Sequence, residues 1–331
     1  MPELKYLIFT VIALALIFDF INGFHDTANA IATSVSTRAI KPNHAIIMAA
    51  CLNFLGAMYS TGVAKTIGAD IVRSANHIDE RIIIAALGGA VFWNLLTWWI
   101  GLPSSSSHAL VGGIIGAMLV SVGASGLNFW GIGKIVLSLI LSPVIAIISG
   151  CVVMLILYRL FGRFSPTMIN WRFKKMQIVS AAMMAFSHGS NDAQKSMGII
   201  TLALLSGGYI DVFEVPNWVK LSAAIAMAIG TSLGGWRIIK TIGGKIFKLE
   251  PISGFAADLN SSLVVFAATL LHLPVSTTHV VSGSIMGVGT AKRISAVRWG
   301  VAQQMLVAWV LTIPCTALVG SLLYQIVLWV F

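Results

Sequence analysis

The sequence predicts an all-α polytopic membrane protein made of two inverted-topology repeats, with broken helices and two re-entrant-like helical hairpins. The first observation is composition: of 331 residues, 57% are hydrophobic and only 10% are charged, whereas soluble domains carry roughly 25% charged residues. The second is a series of ten apolar segments separated by short polar stretches. The third is a set of polar motifs that recurs in the same order in each half of the chain.

The apolar segments differ in length, and the lengths indicate different roles. A helix that crosses a bilayer needs ~20 residues. The first and sixth segments are long enough to be broken helices, with predicted breaks at Asn22-Gly23 and His188-Gly189. Two shorter segments each follow a proline and a cluster of hydroxyls, in Leu102–His108 and Leu273–His279, which indicates a hairpin dipping into the membrane. The ten segments are 4–38, 43–63, 82–101, 107–122, 131–160, 176–205, 218–240, 253–272, 276–290 and 298–331.

An internal repeat divides the chain. Aligning Asp26 with Asp192 places Asn29 opposite Lys195, and a similar offset aligns the two hairpin motifs. We therefore predict a first repeat over residues 1–160, a basic cytoplasmic linker over 161–175 and a second repeat over 176–331.

Loop charges predict that the two repeats are inserted in opposite senses. Five basic residues and no acid lie between Arg159 and Lys175, so the positive-inside rule places this connection in the cytoplasm. Following the segments from there puts both termini outside; the loop over 64–81 fits least well, because it also contains basic residues. Inverted repeats with discontinuous helices are the plan of secondary transporters. A channel of the same architecture is the alternative.

Other classes of protein fit less well. The net charge of +10 comes from short basic clusters between apolar runs, which does not indicate nucleic-acid binding. Cys51, Cys151 and Cys315 lie inside apolar runs without ligand-like spacing, so we expect no disulfide and no metal site there. An intramembrane Ser-His-Asp hydrolase is a further alternative, but here the constellation is duplicated whereas a triad is needed once. We expect no enzyme activity and no resident cofactor.

Two acids at membrane depth define the predicted site. A charged side chain near a bilayer centre costs at least ~2.5–3.5 kcal/mol, so Asp26 and Asp192 should have a function, although each could instead cap a helix break. At each hairpin tip a helix begins, and its free N–H groups and dipole suit an anion. With the two acids, the predicted substrate-binding residues are the hydroxyls of the tips: Ser105, Ser106, Ser107, Ser276, Thr277 and Thr278.

The acids also bear on the identity of the anion. Carboxylates can accept a hydrogen bond from a protonated oxyanion, and hydrogenphosphate carries such a P–OH group whereas sulfate does not. A site whose buried acceptors need a donor rejects the analogue without one by up to about 10⁴-fold. This favours phosphate, if the carboxylates touch the ligand.

The two acidic motifs differ at one position that bears on coupling. Asn29, three residues after Asp26, offers an amide oxygen that could ligate Na⁺, whereas Lys195 offers an ammonium that can pair with Asp192 in place of a cation. Proton coupling is therefore favoured over sodium coupling. The candidate coupling-ion residues are Asp26, Asn29, Asp192, Lys195, Asn22 and Asn191, and the candidate proton-relay residues are His25, His108 and His279.

Four stretches resemble the paired signatures of the inorganic phosphate transporter (PiT) family: Gly23–Thr33, Gly189–Gly198, Pro103–His108 and Pro274–His279. They are most similar to the bacterial low-affinity branch. The resemblance implies a multi-pass phosphate symporter of the cytoplasmic (inner) membrane, with alternating access and proton-driven import of phosphate, also as a complex with a divalent metal; a homodimer is an expected assembly. Sodium-coupled members resemble Asp-x-x-Asn in both halves, and this chain departs from that at Lys195. Some short members look like sulfate permeases, so a sulfate permease and a sodium-coupled symporter remain alternatives.

Overall fold

A computed structural model describes residues 2–73 and 78–330 of the chain. The termini of the two predicted repeats, residues 1 and 331, and residues 74–77 of the predicted outer loop lie outside the described residues. The described helices are α1 Pro2–Ser36, α2 Pro42–Ala57, α3 Gly62–Ala69, α4 Glu80–Ile100, α5 Ser106–Ser121, α6 Phe129–Phe161, α7 Pro166–Asp192, α8 Gln194–Ser206, α9 Asn217–Leu233, α10 Trp236–Gly244, α11 Pro251–Leu270, α12 Thr277–Lys292 and α13 Trp299–Val330.

The same order of elements occurs twice. Helices α1 to α6 correspond in order to α7 with α8, then α9 to α13, and a short 3₁₀ turn precedes the last helix of each half. The halves exchange partners: α5 packs on α13 and α12 packs on α6, while α1 packs on α9 and α2 packs on α7. The predicted repeat is therefore visible as interlocked elements, whereas the opposed insertion, the domain boundaries and the outside position of both termini stay predictions.

The predicted helix breaks at Asn22-Gly23 and His188-Gly189 are wrong. Helix α1 continues through the first, and the second long segment changes helix only at Ala193. Both glycines serve close packing instead. A Cβ on Gly23 would lie 2.4 Å from the backbone oxygen of Met227 in α9, and one on Gly189 would meet the backbone of α2 at 2.1 Å. Glycine at these positions lets two helices approach without interrupting either one.

The sharp bends lie in the segments predicted as plain spans. Helices α2 and α3 meet at 71°, and α9 and α10 meet at 74°. Gly234, between α9 and α10, has a φ of +71°, which glycine adopts without the strain that a Cβ would bring. Each half therefore has a sharp bend, of the kind found in a broken span or a re-entrant loop, at the end of its second segment rather than in its first.

Both predicted hairpins are present as helix–loop–helix units, α4–α5 and α11–α12. Gly101 ends α4 in the left-handed conformation, with φ +75°. Ser105 then caps α5 by accepting from the His108 N–H at 3.2 Å, and Ser276 caps α12 by accepting from the His279 N–H at 3.3 Å. With 16 residues each, α5 and α12 are shorter than a bilayer crossing.

The apolar surface fits a lipid environment. Five of the described helices are long and apolar enough to cross a membrane, or up to seven spans if each bent pair counts as one. Helices α6 and α13 expose large apolar side chains along most of their length. Inside, α1 contributes residues up to Phe18 to one apolar cluster and Ala28 to Ala32 to a second. The buried polar residues of α1 begin at Asp19, directly after the first cluster, and continue through the second to Ser34.

Candidate functional site

The centre of the protein is a buried polar layer organised by α1. Its polar side chains recur at helical spacing, so they share one face of the helix. Each is at most 2% exposed. They are Asp19, Asn22, His25, Asp26, Asn29 and Thr33.

The two predicted acids meet in this layer. One carboxylate oxygen of Asp26, one of Asp192 and a ring nitrogen of His188 all lie within 4.8 Å of one another. The predicted proximity of two acids from different halves of the chain is therefore confirmed. Two carboxylates this close in a buried site need a cation, a proton or a hydrogen-bond donor between them.

The second hairpin tip joins the two acids. Thr277 donates to Asp192 Oδ2 at 3.2 Å, and its neighbour Thr278 donates to Asp26 Oδ1 at 3.3 Å. Asn29 Nδ2 donates to both hydroxyls, at 3.3 and 3.0 Å. Each threonine hydroxyl thus accepts from the amide and donates to an acid. The start of α12 is therefore fixed directly onto the acidic pair.

The first hairpin tip lies against the second, and its hydroxyls make other contacts. Ser105 Oγ is 2.7 Å from His108 Nδ1, and Ser107 donates to the Val275 backbone oxygen at 2.9 Å. Ser106 is buried at the first position of α5. The structure thus brings the two tips together, but in this conformation it is the second tip that bonds to the acids.

His25 connects Asp26 to the first hairpin. His25 Nδ1 lies 2.6 Å from Asp26 Oδ1, and Nε2 lies 3.3 Å from the Thr97 hydroxyl. The same hydroxyl is 2.8 Å from Ser104 Oγ. A chain of polar contacts therefore runs from the acid to the first tip, which is the arrangement that a proton relay needs.

The two other candidate relay histidines lie at the contact between the hairpins. The rings of His108 and His279 have centroids 4.6 Å apart, and His279 stacks on Trp309 at 3.9 Å. Trp309 also donates to the Pro103 backbone oxygen at 3.3 Å. These contacts give both histidines a bracing role between the tips, and their part in proton transfer stays a prediction.

The predicted ion pair between Asp192 and Lys195 is present. Lys195 Nζ lies 2.9 Å from Asp192 Oδ1, and both side chains are fully buried. Asn22 Nδ2 donates to the other oxygen of Asp192 at 3.4 Å. Asn191, by contrast, braces the second hairpin by donating to the Thr269 hydroxyl at 3.0 Å. The side chain of Asn22 therefore bonds to one of the acids, whereas the side chain of Asn191 bonds to the second hairpin.

Sequence reasoning missed His188. Its Nδ1 lies 3.0 Å from Asn53 Oδ1, and Asn53 in turn donates to the Thr231 hydroxyl at 2.9 Å. Asn53 Oδ1 must then accept, so Nδ1 carries the hydrogen and Nε2 faces Asp192 Oδ2 at 3.5 Å. The signal was the spacing of four residues between His188 and Asp192, which places them on one helix face.

Sequence reasoning also missed two further buried acids. Asp19 is hydrogen-bonded to Ser196, and Asp258 accepts from the Thr33 hydroxyl at 2.5 Å. Each is an isolated acid within an apolar run, and this pattern could have marked it as a candidate functional residue.

Comparison with known proteins assigns the family. The sequence model of the phosphate transporter family matches residues 22–320. The chain belongs to the phosphate transporter family. It is 50% identical, over the whole of both chains, to a probable low-affinity inorganic phosphate transporter of Bacillus subtilis. It is 46% identical to a protein of the same description from Rhizobium meliloti, over 95% of this chain and 94% of the relative.

A solved structure is similar over nearly the whole fold. It is described as the sodium-dependent phosphate transporter, and it matches 98% of this chain and 100% of its own with a TM-score of 0.88 and 26% identity. This member of the phosphate transporter family is therefore a multi-pass membrane transporter and not an enzyme.

Proposed function

We propose that this family member imports inorganic phosphate across the cytoplasmic membrane as a proton-coupled symporter that works by alternating access. The observation that carries the proposal is the buried link in which Thr277 and Thr278 bridge Asp192 and Asp26. It joins anion-binding groups of a hairpin tip to acids that can carry a proton. The relatives described as phosphate transporters support the choice of substrate.

Hydrogenphosphate matches the donors and acceptors of this link. Its P–O oxygens can accept from the hydroxyls of Thr277 and Thr278 and from the free N–H groups at the start of α12. When the threonine hydroxyls turn to phosphate, Asp26 and Asp192 lose these two donors. The P–OH group of the ligand can then donate to one of the acids in their place. Sulfate has no such hydrogen and would leave both acids facing an anion, so we expect it to bind much more weakly.

The Lys195–Asp192 pair supports the choice of the proton. Its ammonium group already neutralises Asp192 at 2.9 Å, so a sodium ion at that acid would meet a like charge. Asp26 keeps Asn29 beside it and could still take one cation. The solved relative described as sodium-dependent favours sodium coupling as the second candidate. A divalent metal that travels with phosphate would find ligand atoms in the same acidic pair and in His188, which lie within 4.8 Å of one another, but it would meet the like charge of Lys195 as sodium does.

Burial of the site supports alternating access. Asp26, Asp192, Thr277 and Thr278 are each at most 2% exposed, so this conformation is occluded and the site opens only if helices move. Breaking the two threonine–acid bonds would release the second hairpin from α1 and α7. We propose that bonds to phosphate replace these two bonds at each opening.

Uptake into proteoliposomes tests the proposal. Purified protein is reconstituted, and labelled phosphate uptake is measured with an inward pH gradient or an inward sodium gradient, applied separately. We expect accumulation with the pH gradient, its loss with a protonophore, and little competition by sulfate. Accumulation with the sodium gradient alone would contradict proton coupling, and strong competition by sulfate would contradict the role of the acids in substrate choice. Repeating the uptake measurement without divalent metals shows whether phosphate is transported alone or as a metal complex.

A further inference from the structure

Asp19 is a buried acid that the substrate site does not use. It lies seven residues before Asp26 on α1, which is about 10 Å along the helix. Its side chain is fully buried. One carboxyl oxygen is hydrogen-bonded to Ser196 Oγ, and the other has no hydrogen-bond partner among the described residues. Burying an unpaired carboxylate in this way is very unfavourable, which favours a neutral, protonated side chain.

The hydrogen bonds of Ser196 lead to the same conclusion. Its hydroxyl has a single hydrogen and lies beside two acceptors, the Ala193 backbone oxygen at 3.1 Å and the carboxyl group of Asp19. Ser196 can make both bonds without sharing its hydrogen if Asp19 carries a proton and donates to Ser196, which then donates to Ala193.

The protonation state of Asp19 changes the charge balance of the groups near it. The charged side chains that interact with it electrostatically are Lys195 on α8 and Asp192 on α7. The one ammonium group of Lys195 therefore acts on both Asp19 and Asp192, and also on Asp26. With Lys195 bonded to Asp192 at 2.9 Å, a neutral Asp19 leaves no net charge among the three, whereas a charged Asp19 would leave one negative charge and would compete for Lys195.

The other half of the protein provides an internal comparison. The alignment that pairs Asp26 with Asp192 also pairs Asp19 with Ala185 and Ser196 with Ala30. Both alanines are fully buried members of one apolar cluster. Asp19 therefore has no counterpart in the second half and Ser196 has none in the first, and Ser196 directly follows Lys195, which stands where the first half has Asn29. These departures from the repeat lie together in space.

We propose that Asp19 is the binding site of the coupling proton, apart from the phosphate site; this rests on the proposed proton-coupled symport. In the occluded state the proton resides on Asp19 and Lys195 pairs with Asp192. Loss of the proton to cytoplasmic water leaves a carboxylate that attracts Lys195 away from Asp192. Asp192 is then uncompensated, which disfavours an anion beside it and promotes phosphate release. On the predicted topology, Asp19 lies on the outer side of Asp26, where a proton enters.

The Asp19→Asn variant tests this proposal, because asparagine mimics the protonated side chain and cannot release a proton. Two transport modes are compared in proteoliposomes: exchange of labelled for unlabelled phosphate at equal pH, and accumulation driven by a pH gradient. We expect Asp19→Asn to retain exchange and to lose accumulation to the level of protein-free vesicles. Asp19→Glu should restore accumulation. The matched control is Asp211→Asn, which changes an exposed loop acid and should leave both modes unchanged.

A spectroscopic measurement reads the proton directly. The infrared band of a protonated carboxyl group should be present in the wild-type protein, present in Asp211→Asn and reduced in Asp19→Asn. Wild-type-like accumulation by Asp19→Asn, or an unchanged band, would overturn the assignment of the proton to Asp19. If the wild-type protein itself fails to accumulate phosphate under a pH gradient, it is the proposed proton coupling that fails, and the Asp19 proposal falls with it.

A second variant can be used if Asp19→Asn does not fold. Ser196→Ala removes the hydroxyl partner of Asp19 and leaves Asp19 and Asp192 in place. We expect it to retain exchange and to shift the pH at which accumulation is half-maximal. A pH profile identical to that of the wild-type protein would contradict the proposal.

Discussion

Replacing Lys195 by asparagine tests whether its ammonium group takes the place of a coupling cation. Nζ lies 2.9 Å from Asp192 Oδ1, and both side chains are fully buried. Removing one partner of a buried ion pair costs about 3–5 kcal/mol. Lys195→Asn would also give the second half the Asp-x-x-Asn motif that Asp26 and Asn29 form in the first. We expect the variant to be destabilised without sodium and to regain about 2.7 kcal/mol when Na⁺ is present at about 100 times its Kd.

The assay is the melting temperature of the purified protein in sodium chloride and in choline chloride at equal ionic strength, followed by uptake with an imposed sodium gradient. Lys195→Met is the matched control, since it removes the charge without supplying a ligand oxygen, and it should not respond to sodium. Lys292→Met breaks a salt bridge whose side chains are 42% and 52% exposed, so it should cost at most about 1 kcal/mol. Equal melting temperatures of Lys195→Asn in both salts, with no sodium-driven uptake, would refute the reasoning.

Three other predictions concern the acids, the second tip and the helix contacts. Asp26→Asn and Asp192→Asn should each abolish phosphate accumulation while the protein still reaches the membrane, as shown by uptake and by a membrane blot; accumulation in both variants would contradict their role. Thr278→Val removes one donor to the acids and should cost about 1–3 kcal/mol of phosphate binding, which calorimetry on the purified protein would measure; unchanged affinity would argue against that hydroxyl. Gly189→Ala places a Cβ 2.1 Å from backbone and should cost about 1–3 kcal/mol of stability, whereas Gly133→Ala, with nothing within 4 Å, should leave the melting temperature unchanged.

The repeated motifs were enough to predict which chemistry meets at the centre. Asp26 and Asp192 are acids in apolar runs, and the free-energy cost of burying a charge in the membrane predicts a functional site at both positions. The hairpins follow from Leu-Pro and the hydroxyl clusters, because proline stops one helix and a serine cap begins the next. The pairing of Lys195 with Asp192 follows from their spacing of three residues.

The positions of the bends could not be predicted in the same way. The sequence does not show whether a glycine such as Gly23 or Gly189 breaks a helix or lets a neighbouring helix approach. In this structure both glycines lie at close helix contacts. The bend at Gly234 depends on a positive φ that the sequence permits but does not require. For the same reason the contacts of Ser105 and Ser107 depend on how the two tips pack, which spacing along the chain does not specify.

The most direct test of the central claim is an experimental structure determined with phosphate bound. We expect phosphate between Asp26 and Asp192, in contact with Thr277 and Thr278, with the two threonine–acid bonds replaced by bonds to the ligand. Phosphate bound at any other place in the protein, with the threonine–acid bonds intact, would contradict it.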